Sequence, residues 1–275
     1  MTTNIPHINL LCMEGEYITA FQKALTTVRP PIQHISANVG ANNTKYSIGS
    51  VSITIHNTSL SQVPSSIEYD LIVSPANSYG RLDGTFDAAI SRTFCLPDHP
   101  FDTLTKAAQG VLYDRYRGFA PPGTCTLVSF PRPLLNSTGG GANPWGCKWI
   151  AICPTMRVPG DVRWDREVVY ECTWSLLCAI EGWNRDQWSD SGERIRSILM
   201  TPMATGCGKV TPTRWAEQFV LALAHFDDAV ARPQKWEALE WDHIHRNAWA
   251  VQRTWKEKEG EGKGEGKGEG KEETE

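Results

Sequence analysis

The sequence lacks a strong excess of either charge. Its 275 residues carry 27 Lys and Arg against 31 Asp and Glu. That balance argues against a dominant electrostatic grip on nucleic-acid phosphate. It also lacks long apolar runs: no stretch approaches the ~20 residues that a membrane-spanning helix needs. The first residues, MTTNIPHINLLCMEGE, have neither a basic start nor an extended apolar core, so no secretion signal is expected and a cytoplasmic or nuclear setting is. The eight cysteines never form a CxxC pair. Their scatter excludes the usual zinc spacing and predicts buried thiols in a reducing compartment. No HExxH is present, and no histidine lies between His99 and His225. His243-x-His245 points apart on the helix expected there, so no metal site is predicted.

One segment lacks apolar residues altogether. Residues 256–275 comprise five Lys, eight Glu, six Gly and one Thr, and cannot bury enough surface to order themselves. This tail carries most of the chain's net charge of −4 and leaves the body nearly neutral. Eleven tryptophans, by contrast, are many, and core and interface packing accounts for them.

The body alternates short apolar runs with amphipathic stretches. Strands are expected at 7–13, 32–39, 50–57, 70–74, 124–130, 148–153 and 196–202. Helices are expected at 16–27, 86–94, 101–116, 166–183, 212–230 and 236–255. Thr211 caps the fifth of these, with Pro212 in its first turn. A polar Gly-Ala-Asn-Asn-Thr loop (40–44) separates the second and third strands, and 131–146 reads as a long, turn-rich loop with Gly-Gly-Gly. Strands alternating with helices predict a three-layer α/β/α fold around a mixed or largely parallel sheet. No internal linker or repeat is visible. The expectation is one domain over 1–255, with an N-terminal extension (1–50), a C-terminal helix (231–255) and a disordered tail (256–275).

In open α/β sheets, ligands bind where strands end and helices begin. Two such exits stand out. The first is SPANSYGRLDGTFDAAI (74–90). Gly80 and Gly84 loosen its backbone, and the helix after it offers unpaired N–H groups to an anion. Asn77 can both donate to and accept from a ribose hydroxyl. The alternative for this loop is an Asx-type turn, with Asp87 in the first helical turn. The second exit is TPMATGCGKV (201–210), whose Thr-Gly-x-Gly can wrap amides around an anion or form a plain turn. It matches neither a P-loop nor GxGxxG.

Taken together and in order, the two exits resemble the macro domain, a module that binds ADP-ribose. The family's first loop reads roughly N-x-A-N followed by G-G-x-x-D-x-A-I. Here it is Ser74-Pro75-Ala76-Asn77, then Asp83-Gly84-Thr85-Phe86-Asp87-Ala88-Ala89-Ile90. Asp70-Leu71-Ile72-Val73 matches the D-x-I-V strand, and Ala204-Thr205-Gly206-Cys207-Gly208 is similar to S-T-G-x-x-G. The likeness runs from about Val51 to Val230. SPANSYG and the PTMRVP stretch more narrowly resemble the fungal branch related to ADP-ribose 1″-phosphate phosphatases.

The resemblance implies that Asn77 bonds the distal ribose, with Ala76 beside it. Gly84, Thr85, Phe86 and Asp87 would line that ribose and its phosphate. Thr205, Gly206, Cys207, Gly208 and Lys209 would wrap the diphosphate. Asn57 stands where the family has an adenine-binding Asp, since G-D-I-T is replaced by His56-Asn57-Thr58-Ser59. Asn77 and Asp87 are the implied catalytic pair, Asp87 activating a water, with no cofactor. The implied ligands are ADP-ribose, its 1″-phosphate or ADP-ribosylated proteins, with hydrolysis of the 1″-phosphate as the implied reaction. Removal of ADP-ribose from modified proteins and non-catalytic reading are the alternatives. Other readings stay open. Cys207 is a nucleophile or a small turn residue. Lys209 is a diphosphate contact or a solvated lysine. Arg157, Arg163 and Trp164 are a clamp or surface packing. The Trp-rich 231–255 is a packed helix or a partner surface.

Overall fold

The computed structural model describes residues 4–28, 35–39, 44–96, 98–135, 143–186 and 194–256. Eight strands form one sheet: β1 (His7–Leu11), β2 (Ile35–Val39), β3 (Thr44–Ile48), β4 (Val51–His56), β5 (Leu71–Ser74), β6 (Thr126–Ser129), β7 (Trp149–Ile152) and β8 (Ser197–Met200). Their order is β2-β3-β4-β1-β8-β5-β7-β6. The five central strands, β4 to β7 in that order, run parallel, and the outer pairings β2–β3, β3–β4 and β6–β7 are antiparallel.

The helices are α1 (Gly15–Thr27), α2 (Thr85–Thr93), α3 (Thr103–Tyr116), α4 (Arg132–Leu135), α5 (Val168–Asp186), α6 (Pro212–Ala231), α7 (Pro233–Glu237) and α8 (Trp241–Lys256). No described helix is long and apolar enough to cross a membrane.

Side chains alternate across a strand with period two, so the parallel strands β1, β8, β5 and β7 each feed two cores. Leu71 and Val73 of β5, Ile8 and Leu10 of β1, and Ile198 of β8 join a core with α1, α5 and α6. Ile72, Leu199, Ile150 and Ile152 turn the other way and pack against α2 and α3. Helices therefore cover both faces, which gives the expected α/β/α layers, and explains why Leu71–Ile72–Val73 and Ile198–Leu199–Met200 are apolar without interruption. Thr211 caps α6, its side chain accepting from the Arg214 amide, with Pro212 in the first turn.

Three sequence expectations need correction. Between the strands expected at 32–39 and 50–57, where only a polar loop was expected, lies β3. There Tyr46 and Ile48 point inward and Lys45 outward, a short alternation diluted by polar neighbours. β3 turns into β4 through Gly49–Ser50, with Gly49 at φ 57°; glycine at the first turn position suits a tight hairpin. The Asp227 carboxylate accepts from the Ser50 amide at 2.8 Å and ties this hairpin to α6. Second, the helix expected at 236–255 is two helices, broken at Ala238 to Glu240. α7 fixes Trp236 against Trp174 and hydrogen-bonds its indole to Asp228 at 2.8 Å. α8 packs on α6 through Ala250, Val251, Thr254 and Trp255. The break lets each segment meet its own partners. Third, residues 131–146 include the short helix α4. The Gly-Gly-Gly of that loop, residues 32–34 and the tail after Lys256 lie outside the described residues.

Phe219 of α6 is fully buried between Trp215, stacked at 5.6 Å, and Phe21 of α1 at 6.2 Å. Phe219→Ala is expected to cost about 3–5 kcal/mol of stability, read from urea unfolding with an unchanged denaturant slope.

Candidate functional site

β5 and β8 are hydrogen-bonded neighbours, with Leu71 opposite Ile198 and Ile72 opposite Leu199. Both run the same way, so their exit loops emerge side by side. Between them and α2 lies a cleft of about 630 Å³. Thr85 and Phe86 of the first loop line it, and Thr205, Gly206, Cys207 and Gly208 of the second face them. The exit of β7 adds Thr155 and Met156, and the 3₁₀ turn Leu60–Gln62 with Ser59 closes one corner.

Main-chain amides dominate the polar chemistry here. The first N–H groups of α2 have no intrahelical acceptor. The amides of Thr205, Gly206, Cys207 and Gly208 donate to no protein group among the described residues. Their loop is held open by its own bonds: Lys209 N–H to Gly206 O at 3.0 Å and Val210 N–H to Ala204 O at 3.1 Å. Gly208 is required by close approach, because a Cβ there would lie 2.4 Å from the Ala204 carbonyl oxygen.

The backbone is strained where these loops turn. Thr85 (φ 40°), Ala204 (φ 62°) and Lys209 (φ 58°) adopt left-handed conformations without being glycine. For a β-branched residue such as Thr85 this is costly, on the order of 1–3 kcal/mol.

The remaining expected residues lie off the cleft lining. Asn77 is buried and its side chain shapes its own loop. Its Nδ2 donates to the Arg81 carbonyl at 2.8 Å, and its Oδ1 accepts from the amides of Tyr79 at 3.1 Å and Arg81 at 3.4 Å. These bonds form the Asx-type turn. Ala76 is buried, its carbonyl accepting from the Thr155 amide at 3.0 Å. Gly84 is the N-cap of α2. Asn57 is exposed just beyond β4. Lys209 is exposed, its Nζ 3.8 Å from the Asp161 carboxylate. Arg163 pairs with the same carboxylate and Arg157 sits 4.7 Å over the Phe119 ring. Neither arginine lines the cleft, so packing accounts for both. Trp164 is 74% exposed.

Cys207 is exposed on the lining, its Sγ 3.6 Å from the Met156 Sδ. Five of the eight cysteines are buried, and none is in a disulfide. Among the described residues, no group of three His, Cys, Asp or Glu is placed to hold a metal.

Sequence reasoning missed Arg92. It lies on α2, two turns beyond Thr85, and is the one full charge on the described lining. No described carboxylate pairs with it. The signal was its place on one helical face: Thr85, Phe86, Ala89, Arg92 and Thr93 recur at helical spacing toward the cleft.

Asp87 is 7% exposed, in the first turn of α2. The Ser74 hydroxyl donates to its Oδ1 at 2.6 Å. Burial pushes the carboxyl up to about 7, aided by the charge of Asp83 and opposed by the Ser74 bond.

No family model matches the sequence, and no curated protein matches it. Solved structures resemble the fold at low identity. A variant of the Oceanobacillus iheyensis macrodomain is 16% identical, with a TM-score of 0.45 over 72% of this chain and 82% of that one. A second variant, solved with ADPR, is 15% identical, with a TM-score of 0.44 over 70% and 83%. The same macrodomain with ADP is 15% identical, with a TM-score of 0.43 over 83% and 100%.

The raised Asp87 carboxyl makes stability depend on pH. The folded state holds this proton more tightly than the unfolded chain does. The stabilisation is therefore complete below about pH 4 and lost as pH rises through about 7. Asp87→Asn keeps an acceptor for Ser74 and is neutral throughout. It should match the parent near pH 4 and exceed its stability by up to about 4 kcal/mol near pH 8. Parallel denaturation profiles across that range would show that the carboxyl is solvated.

Proposed function

We propose that the chain is a macrodomain-type module that binds ADP-ribose or its 1″-phosphate in the cleft between α2 and the β8 exit. The observation that carries this reading is the set of unpartnered amides on both walls, at Thr85–Phe86 and at Thr205–Gly208. Amides fixed in this way take the place of water around a diphosphate, and the N-terminus of α2 adds a partial positive charge. Arg92 supplies a full charge on the same lining. Among the described residues, no carboxylate lines the cleft to repel an anion. Its volume falls within the ~300–1,000 Å³ typical of small-ligand sites, and the apolar Met13, Leu60, Phe86 and Met156 offer surface to a base and its ribose. The motif order of the two loops supports ADP-ribose over other anions.

Hydrolysis of ADP-ribose 1″-phosphate is the finer reading. It assigns water activation to Asp87, and a carboxyl near 7 is suited to accept a proton at neutral pH. Water would attack the terminal phosphorus and pass a proton to Asp87, the P–O bond to the 1″ oxygen would break, and that oxygen would leave with a proton, giving ADP-ribose and inorganic phosphate. A non-catalytic reader is the second reading. It is favoured by the position of Asp87, which is buried against Ser74 and absent from the lining.

Calorimetry should show saturable binding of ADP-ribose, weakened about tenfold, or 1.4 kcal/mol, in Arg92→Ala. No heat at millimolar ligand would remove the binding reading. Phosphate release from ADP-ribose 1″-phosphate separates the two finer readings. Turnover that Asp87→Asn abolishes, with ADP-ribose affinity kept within about tenfold, supports the hydrolase. Binding without turnover in the parent chain supports the reader.

A further inference from the structure

A second groove, of about 590 Å³, lies between α5 and the arm formed by α7 and α8. It shares no lining residue with the cleft. One wall is a row of rings. Tyr170 stacks on Trp174 with centroids 6.1 Å apart, and Trp174 stacks on Trp236 of α7 at 5.5 Å. Leu239, Ile244 and Val251 face them from the arm. On α8, Trp241 is also 71% and Trp249 53% exposed.

Among the described residues, the charged groups lining this groove are Glu167, just before α5, and Glu171 in its first turn. Neither forms an ion pair among the described residues. The Glu167 carboxylate accepts the Trp255 indole N–H at 3.3 Å. The Glu171 carboxyl is raised by burial, and further by Asp165 and Glu167 beside it. Three nearby cations have partners outside the groove. Arg166 lies over the Trp255 ring at 4.5 Å, and Arg232 and Lys235 pair with Asp228. A groove with apolar walls and two uncompensated carboxylates is complementary to a cation carried on an apolar segment.

We propose that this groove docks a segment of a partner protein that presents an arginine or lysine among apolar residues. The basic group meets Glu167 and Glu171, and the flanking side chains cover the tryptophan row and Ile244. Aromatic faces add attraction for the same cation. This site is independent of the ADP-ribose reading and stands or falls separately.

The test uses the full chain and two fluorescein-labelled, end-blocked octapeptides, one alternating Leu and Arg, the other Leu and Glu, followed by fluorescence anisotropy. The Leu/Arg peptide should bind, and the Leu/Glu peptide should bind at least tenfold more weakly. Glu167→Gln combined with Glu171→Gln should weaken the Leu/Arg peptide tenfold or more. Ala248→Trp, which fills the groove without changing its charge, should abolish binding, and thermal melts confirm that each variant folds. No binding of the Leu/Arg peptide, equal binding of both peptides, or an affinity unchanged by the Gln pair would overturn the proposal. So would a dimer in sedimentation velocity that Ile244→Asp dissolves, since the groove would then belong to a second copy of the chain.

Discussion

The parallel pairing of β5 with β8 is the constraint on which the site depends. Two strands distant in sequence lie side by side and point the same way. Parallel pairing needs a crossover, and the crossovers are helices that cover the two faces. The loops that leave the paired strands must then emerge at one edge. Neither loop makes a site alone. The first brings the start of α2, and the second brings four amides without protein acceptors. Side by side they enclose the cleft.

This arrangement explains how a nearly neutral body can offer a place for an anion. Formal charge counts side chains, whereas the cleft presents backbone dipoles and one arginine. The cost is conformational. Thr85, Ala204 and Lys209 are held in left-handed backbone conformations at the rims of these loops. The strain persists because both loops are anchored. Asn77 ties down the first through three hydrogen bonds. The second is fixed by bonds within itself and by the Val162 amide, which donates to the Gly208 carbonyl at 3.0 Å. Asp87 belongs to the same scaffold: its buried carboxyl joins the end of β5 to the first turn of α2 through Ser74.

Much of the layered fold was legible in the sequence because buried parallel strands leave unbroken apolar runs. LLC, LIVS, WIAI and SILM needed no pairing information to be read as strands. β3 was not legible in the same way, since Thr44, Lys45 and Ser47 hide its two inward residues. The Gly49–Ser50 pair between Ile48 and Val51 was the available signal, a two-residue hairpin turn. The break between α7 and α8 was invisible because it is set by where Trp174 and α6 sit in space, not by a Gly or Pro. In the site, the second loop was picked out by its place after a buried strand and its Thr-Gly-x-Gly, and Thr205 to Gly208 line the cleft. The roles of Asn77 and Asp87 were harder. Residue type says what a side chain can bond, but only the fold shows that the Asn77 polar atoms face its own loop. Arg92 was passed over because an exposed arginine late in a helix has an ordinary explanation in the helix dipole.

The account rests on the amides of the two strand exits holding the anionic ligand. Amide chemical shifts of the ¹⁵N-labelled chain, followed through a titration with ADP-ribose, test it most directly. The largest changes should fall on Thr85, Phe86 and Thr205 to Gly208. Changes centred on Tyr170, Trp174 and Ile244 instead, or none at saturating ligand, would contradict it.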